Sequence, residues 1–292
     1  MLSRRLAAVL TVKGGWVVQS IRFQRYLPVG RPEIAVEFLN QWGIDEIILL
    51  DIDASRERRR PDFEMVTRVS KKCFVPLTVG GGIRSVDHMR ELIHRGADKV
   101  SLNSVLFEDR EIIRKGAEVL GTQCIVVSMD VLRDSEQTYS VMKNSGSERT
   151  DWDPVSWAKE VKGLGAGEIL LNSVDRDGTK KGYDSNLIKQ VVDAVNIPVI
   201  ACGGAGKPSH FQEIIKQTNA SAVAAGNIFH FSEHSPMLVK SFLRKAMPGI
   251  NLRKATSAEY QDASLMEDGR LAKRDDAYLE KLKYEIIHEE VI

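Results

Sequence analysis

The chain has 292 residues, 43% of them hydrophobic and 28% charged, which is enough apolar material for one large core under an ordinary soluble surface. Its 41 basic and 40 acidic side chains leave a formal charge of +1, so neither nucleic acid nor an anionic membrane is expected as a partner. No stretch approaches the roughly 20 apolar residues of a membrane helix. The three cysteines, Cys73, Cys124 and Cys202, lack metal-ligand spacing, and they fit small core hydrophobes of a cytoplasmic protein.

The first ten residues faintly resemble a signal peptide, but Lys13-Gly14-Gly15 follows where a small-residue cleavage site belongs. Residues 6–11 therefore read as a strand. Beyond them, apolar runs at 46–51, 75–79, 99–102, 124–129, 168–172, 199–201 and 222–225 alternate with amphipathic segments. Those segments read as helices at 32–42, 62–72, 86–95, 110–120, 154–164, 185–195 and 209–217. Gly43, Gly96, Gly121 and Gly165 each follow a helical run, where a left-handed C-cap is wanted. Eight βα units are the count that closes an α/β (β/α)8 TIM barrel, here assigned to residues 1–250. The rest, 251–292, reads as a polar tail. Leu279, Leu282 and Ile286 give it a short amphipathic helix, either solvated against the barrel or docking a partner.

The chain also repeats by halves. Asp51 answers Asn172, Gly82 answers Gly204 and Asn103 answers Asn227, at spacings of 121, 122 and 124 residues. Two half-barrels with pseudo-twofold sites at the mouth are implied. Glycine-rich strand ends at Gly80-Gly81-Gly82 and Gly203-Gly204-Ala205-Gly206 let main-chain N–H groups reach an anion. Two such loops at equivalent places suggest two phosphates, or the two ends of one long ligand. Asn103 with Ser104, and Gly226 with Asn227, would complete the cradles.

Carboxylates follow several apolar runs, among them Asp51, Asp130, Asp175 and Asp177. Asp130 ends the fifth strand, between the two glycine loops, and is the best candidate for general acid or base. Residues 175–184 read as a mobile polar loop able to close over a substrate. At the opposite rim, Arg5, Glu46, Lys99 and Glu168 start strands 1, 2, 4 and 6. They form either a ring of salt bridges across the barrel floor or scattered surface charges. Nothing in the sequence asks for a metal or a redox cofactor.

These segments resemble the cyclase (synthase) subunit of imidazole glycerol phosphate synthase, above all Leu77-Thr78-Val79-Gly80-Gly81-Gly82-Ile83, Gly96-Ala97-Asp98-Lys99-Val100-Ser101-Leu102-Asn103-Ser104, Asp175-Arg176-Asp177-Gly178-Thr179 and Gly203-Gly204-Ala205-Gly206-Lys207. The likeness runs from about Met1 to Arg253. It implies a lyase-type barrel that holds a substrate with a phosphate at each end and needs no cofactor. A separate glutaminase subunit would dock on the N-terminal face and pass ammonia through a charged gate, here Arg5, Glu46, Lys99 and Glu168. The phosphate sites implied are Gly82, Asn103 and Ser104 on one side, and Asp177, Gly178, Thr179, Gly203 and Gly204 on the other.

One carboxylate of the implied acid–base pair is missing. The second matches Asp130, but Thr11 stands where the family has an aspartate, and Gln19 stands where it has a lysine. A hydroxyl cannot take up a proton near neutral pH as a carboxylate can. Arg22-Phe23-Gln24-Arg25-Tyr26-Leu27-Pro28-Val29-Gly30 and Arg60-Pro61-Asp62-Phe63 look more like a paralogous branch tied to surface polysaccharide, thought to amidate an acetamido sugar. The first reading is thus ammonia-dependent amidation of a nucleotide-linked sugar. The alternatives are the histidine-pathway cyclase, a largely non-catalytic subunit that docks and activates a glutaminase, and a phosphosugar isomerase.

Overall fold

The computed structural model describes residues 3–253 except 135, 137, 232 and 233; the tail helix expected after residue 275 lies outside them. Eight parallel strands form a closed ring: Arg5–Lys13, Glu46–Asp51, Leu77–Gly80, Lys99–Leu102, Ile125–Arg133, Glu168–Ser173, Val199–Cys202 and Ala222–Ala225. Closure comes from the first strand pairing the eighth, Arg5 opposite Ala222, and from the fifth pairing the sixth, Glu168 opposite Val126. The fold is the expected (β/α)8 barrel, and the eight expected strands all form.

Alternation along each strand sorts the side chains. Leu6, Ala8 and Leu10 point outward into the layer beneath the helices, whose apolar faces bring Val36, Leu39, Met65, Val69, Leu92 and Phe211. Ala7, Val9, Ile48, Val126, Leu170, Ile200, Ala222 and Ala224 point inward and fill the lumen. Helix caps fall where the sequence supplies them: the carboxylates of Asp153 and Asp184 accept N–H bonds at the starts of helices Pro154–Gly163 and Ser185–Ala194. Gly43, Gly96, Gly121 and Gly165 all have positive φ just beyond helix ends.

Three features go beyond the sequence reading. Strand 1 turns at Gly14-Gly15 into a hairpin, Trp16–Ile21 and Arg25–Gly30, that folds over the mouth. Strand 5 likewise continues into Tyr139–Lys143 and Glu148–Arg149. A final helix, Ser235–Ala246, packs beside Pro208–Gln217. No helix among the described residues is long and apolar enough to cross a membrane.

Candidate functional site at the barrel mouth

Strand alternation places Thr11, Ser101, Ser128, Asp130 and Asn172 around one chamber of about 100 Å³ at the C-terminal ends of the strands. Gly81, Gly82, Asn103, Ser104, Asp177, Gly226 and Asn227 complete its wall. Nine of the residues expected at the site therefore converge. Gly178, Thr179, Gly203 and Gly204 do not line this chamber; Thr179 faces a second basin outside it.

Asp130 is buried at the centre. Burial pushes its carboxyl up to about 7, although hydrogen bonds from Asn103 and Asn172 pull the other way. The Asn103 amide donates to Asp130 Oδ2 at 2.8 Å. Such a group changes protonation state near neutrality, as an acid–base residue must. Asn172 was legible as the repeat partner of Asp51, yet its position against Asp130 follows only from the register of strands 5 and 6, where the two residues are paired.

The other strand-end carboxylates are committed elsewhere. Asp51 caps the short helix Ile52–Arg56, accepting from the N–H groups of Asp53 and Ala54, and pairs with Arg59 at 2.8 Å. Asp175 accepts the Arg133 N–H at 3.2 Å. Cys202 faces the lumen, and burial drives its thiol far upward, so it is no nucleophile.

The glycine loops are built as their composition requires. Gly82 has φ of 72°, and a Cβ there would meet the Arg59 carbonyl at 2.6 Å; at Gly204, with φ of 100°, it would meet the Gly182 carbonyl at 2.1 Å. Each half then presents a four-residue 3₁₀ turn, Ser104–Phe107 and Asn227–His230, directly after the cradle.

The cradle side chains are meanwhile held by the two hairpins. Ser104 Oγ accepts the Asn144 N–H at 3.1 Å. Asn227 exchanges bonds with the Ser20 backbone, its amide donating to Ser20 O at 2.6 Å and its oxygen accepting the Ser20 N–H at 3.2 Å. The Ser20 hydroxyl donates to Asp177 at 2.6 Å, and Arg22 N–H to the Asp177 carbonyl at 3.0 Å. Burial raises the Asp177 carboxyl to about 6, and the Ser20 bond offsets part of this. The loop expected to be a free flap is thus tied to the first hairpin at Asp177 and to the barrel at Gly204 O, which accepts the Gly182 N–H at 2.9 Å. Phe23 and Tyr26 of the first hairpin roof the chamber. The sequence reading missed both as site residues.

At the floor, the four rim charges form an alternating ring. Arg5 pairs with Glu46 at 2.5 Å and with Glu168; Lys99 pairs with Glu46 at 3.0 Å and Glu168 at 2.5 Å. Burial alone would lower both cations, but Glu46 and Glu168 outweigh it and raise them. These four residues share the inward phase of their strands with Thr11, Asp130 and Asn172. Floor and mouth are therefore the two ends of one side-chain-filled barrel interior, about 20 Å apart along the six-residue rise from Arg5 to Thr11.

The family model for "Histidine biosynthesis protein" matches residues 5–235. An imidazole glycerol phosphate synthase subunit HisF from Pyrococcus furiosus is 46% identical over 246 residues, covering 84% of this chain and 97% of the relative. The subunit of the same name from Clostridium botulinum (strain Langeland) is 44% identical over equal coverage. A putative imidazole glycerol phosphate synthase subunit hisF2 from Vibrio vulnificus is 43% identical over 270 residues, 92% of this chain and 98% of the relative. With the closed barrel and the paired loops, these matches settle the family: the chain belongs to the histidine biosynthesis proteins, among their HisF-type synthase subunits.

Proposed function

We propose that the protein is the ammonia-using synthase subunit of a glutamine-dependent amidotransferase, carrying out imidazole glycerol phosphate synthase-type cyclisation with Asp130 as its proton shuttle. The observation that supports this reading is that the charged floor and Asp130 lie at opposite ends of one apolar barrel interior, on the inward faces of the same strands. Its lining of Ala7, Val9, Ile48, Val126, Leu170, Ala222 and Ala224 offers an ammonium ion no counter-charge, whereas neutral ammonia crosses apolar surroundings at far lower cost. The ring of Arg5, Glu46, Lys99 and Glu168 would be the entrance, facing a glutaminase partner on the N-terminal side.

At the mouth, ammonia adds to an electrophilic carbon, nitrogen sheds two protons in turn, and the displaced oxygen takes up two to leave as water. A buried carboxyl with a pKa of about 7 can take each proton from nitrogen and supply it to the oxygen. Thr11 Oγ can relay a proton or orient the substrate but cannot store one. The substrate's two phosphates would occupy the cradles at Gly82, Asn103 and Ser104 and at Asp177, Gly203, Gly204 and Asn227, after displacing the hairpin contacts held there.

A second reading, amidation of a nucleotide-linked acetamido sugar, is favoured by one observation: Thr11 leaves Asp130 without the second carboxylate that two-carboxylate cyclisation uses. One experiment separates the two. The purified chain is given ammonia at alkaline pH with the phosphorylated histidine-pathway intermediate. Cyclised product well above that of Asp130→Asn supports the cyclase. No turnover by the wild type, with turnover gained by Thr11→Asp, moves the assignment to the sugar reading. No product from either protein, with stimulation of a glutaminase on mixing, would leave a docking subunit only.

A further inference from the structure

Outside the chamber lies a wider basin of about 790 Å³, walled by the first hairpin, the helix after strand 2, the hairpin after strand 5 and the loop after strand 6. Phe23 and Ser145 line both cavities, so the two abut. The basin is strongly basic. Arg22, Arg56, Arg176 and Lys181 face it, against Asp175 as the only carboxylate among its described lining residues.

Asp175 is already engaged by the Arg133 N–H and by Arg176 at 3.9 Å. Among the described residues, no carboxylate pairs with Arg22, Arg56 or Lys181. The neighbouring Lys180 is directed elsewhere, over the Phe231 ring at 3.8 Å. All three are exposed, so solvent screens their repulsion, but no carboxylate among the described residues neutralises their convergence on one basin.

The backbone adds an independent observation. The turn Ile21–Gln24 closes with Gln24 N–H to Ile21 O at 3.1 Å. Both central residues are left-handed, Arg22 at φ 54° and Phe23 at φ 56°. That is the arrangement of a type I′ turn, where Asn-Gly is the low-cost choice. Arg-Phe is a costly pair at these positions. Its side chains account for the choice: Phe23 closes the chamber and packs on Gly146, while Arg22 is delivered to the basin.

We propose that this basin is a third anion subsite, separate from the two glycine-loop cradles, which takes a diphosphate or similarly charged group of a substrate extending outward past Phe23. Arg22 and Arg56 offer planar bidentate donors and Lys181 a point charge. The hydroxyls of Ser145, Ser147 and Thr179 line the same walls. The substrate role rests on the inner chamber being the reaction site; the anion site itself does not.

The test is calorimetric titration of the full chain with inorganic pyrophosphate at low salt. The triple variant Arg22→Gln, Arg56→Gln, Lys181→Gln should bind about tenfold more weakly or worse. A comparison triple, Lys71→Gln, Lys159→Gln, Lys216→Gln, removes equal charge from distant exposed helices and should bind as the wild type does. Asn103→Ala, in the inner cradle, shows whether pyrophosphate is held there instead. The proposal is overturned if the wild type does not bind, if both triples weaken equally, or if only Asn103→Ala weakens. Turnover of the wild type is scored separately, so loss of the subsite and loss of the enzymatic reading are told apart.

Discussion

Burial holds the Asp130 carboxyl near pH 7, well above its ordinary 3.8, and this has a cost in stability as well as a use in the proposed proton transfer. A carboxyl whose folded-state pKa is raised favours the folded state in its protonated form, and that advantage is lost as pH climbs from the unfolded to the folded value. Asp130→Asn removes the penalty. Its melting temperature should therefore match the wild type near pH 4, rise above it as pH increases, and level off past about pH 7, where the stability gap reaches about 4 kcal/mol. Thermal melts of both proteins across that range check it; a constant gap would mean that the charge is not what differs. Asp130, Asn103 and the four floor charges were legible in the sequence because they fall at strand ends in an inward phase. Thr11 was legible only by resemblance, since a threonine at a strand end carries no signal of its own.

Among the elements, the two mouth hairpins and the last helix were the ones missed. Gly14-Gly15 is a readable hairpin turn, with φ of 56° and 80°. The next turn, Arg22-Phe23, has no such signature, and the sequence reading ended the strand at residue 11 without either half of the hairpin. Helix Ser235–Ala246 is anchored by a polar pair that periodicity does not reveal. Lys240 Nζ donates to Asp45 Oδ1 and to Gly43 O, each at 2.6 Å, and Asp45 Oδ2 accepts the Leu6 N–H at 2.8 Å. Both side chains are almost fully buried. Burial lowers the lysine, and Asp45 counters it in part. Lys240→Met should cost about 3–5 kcal/mol by stranding the carboxylate, and adding Asp45→Asn should recover part of that loss. Denaturant unfolding of the two singles and the double measures the coupling; simple additivity would show that the pair is not acting as a unit.

Across the whole molecule, the halves are more alike than the sequence spacings alone imply. Strands 1 and 5 both run on into hairpins over the mouth, so Thr11 and Asp130, 119 residues apart, are counterparts in the repeat. One half kept a proton-holding group at this place and the other has a hydroxyl. The glycine loops were readable because their composition and repetition reinforce each other; the roofing by Phe23 and Tyr26 was not, because it joins elements distant in sequence. The seam of the barrel has a practical consequence. Arg4 bridges to Leu252, with Arg4 N–H bonding Asn251 O at 2.8 Å and Arg253 N–H bonding Arg4 O at 3.1 Å. Arg253 is thus held beside Arg4, on the floor. A polypeptide joined at Arg253 by a short flexible linker is held near the ring of charges at roughly millimolar effective concentration. A glutaminase fused there through a flexible linker should stay coupled to synthesis at dilutions where the separate subunits dissociate, which activity against protein concentration would reveal. An affinity tag joined at the same point would crowd the face proposed for the glutaminase.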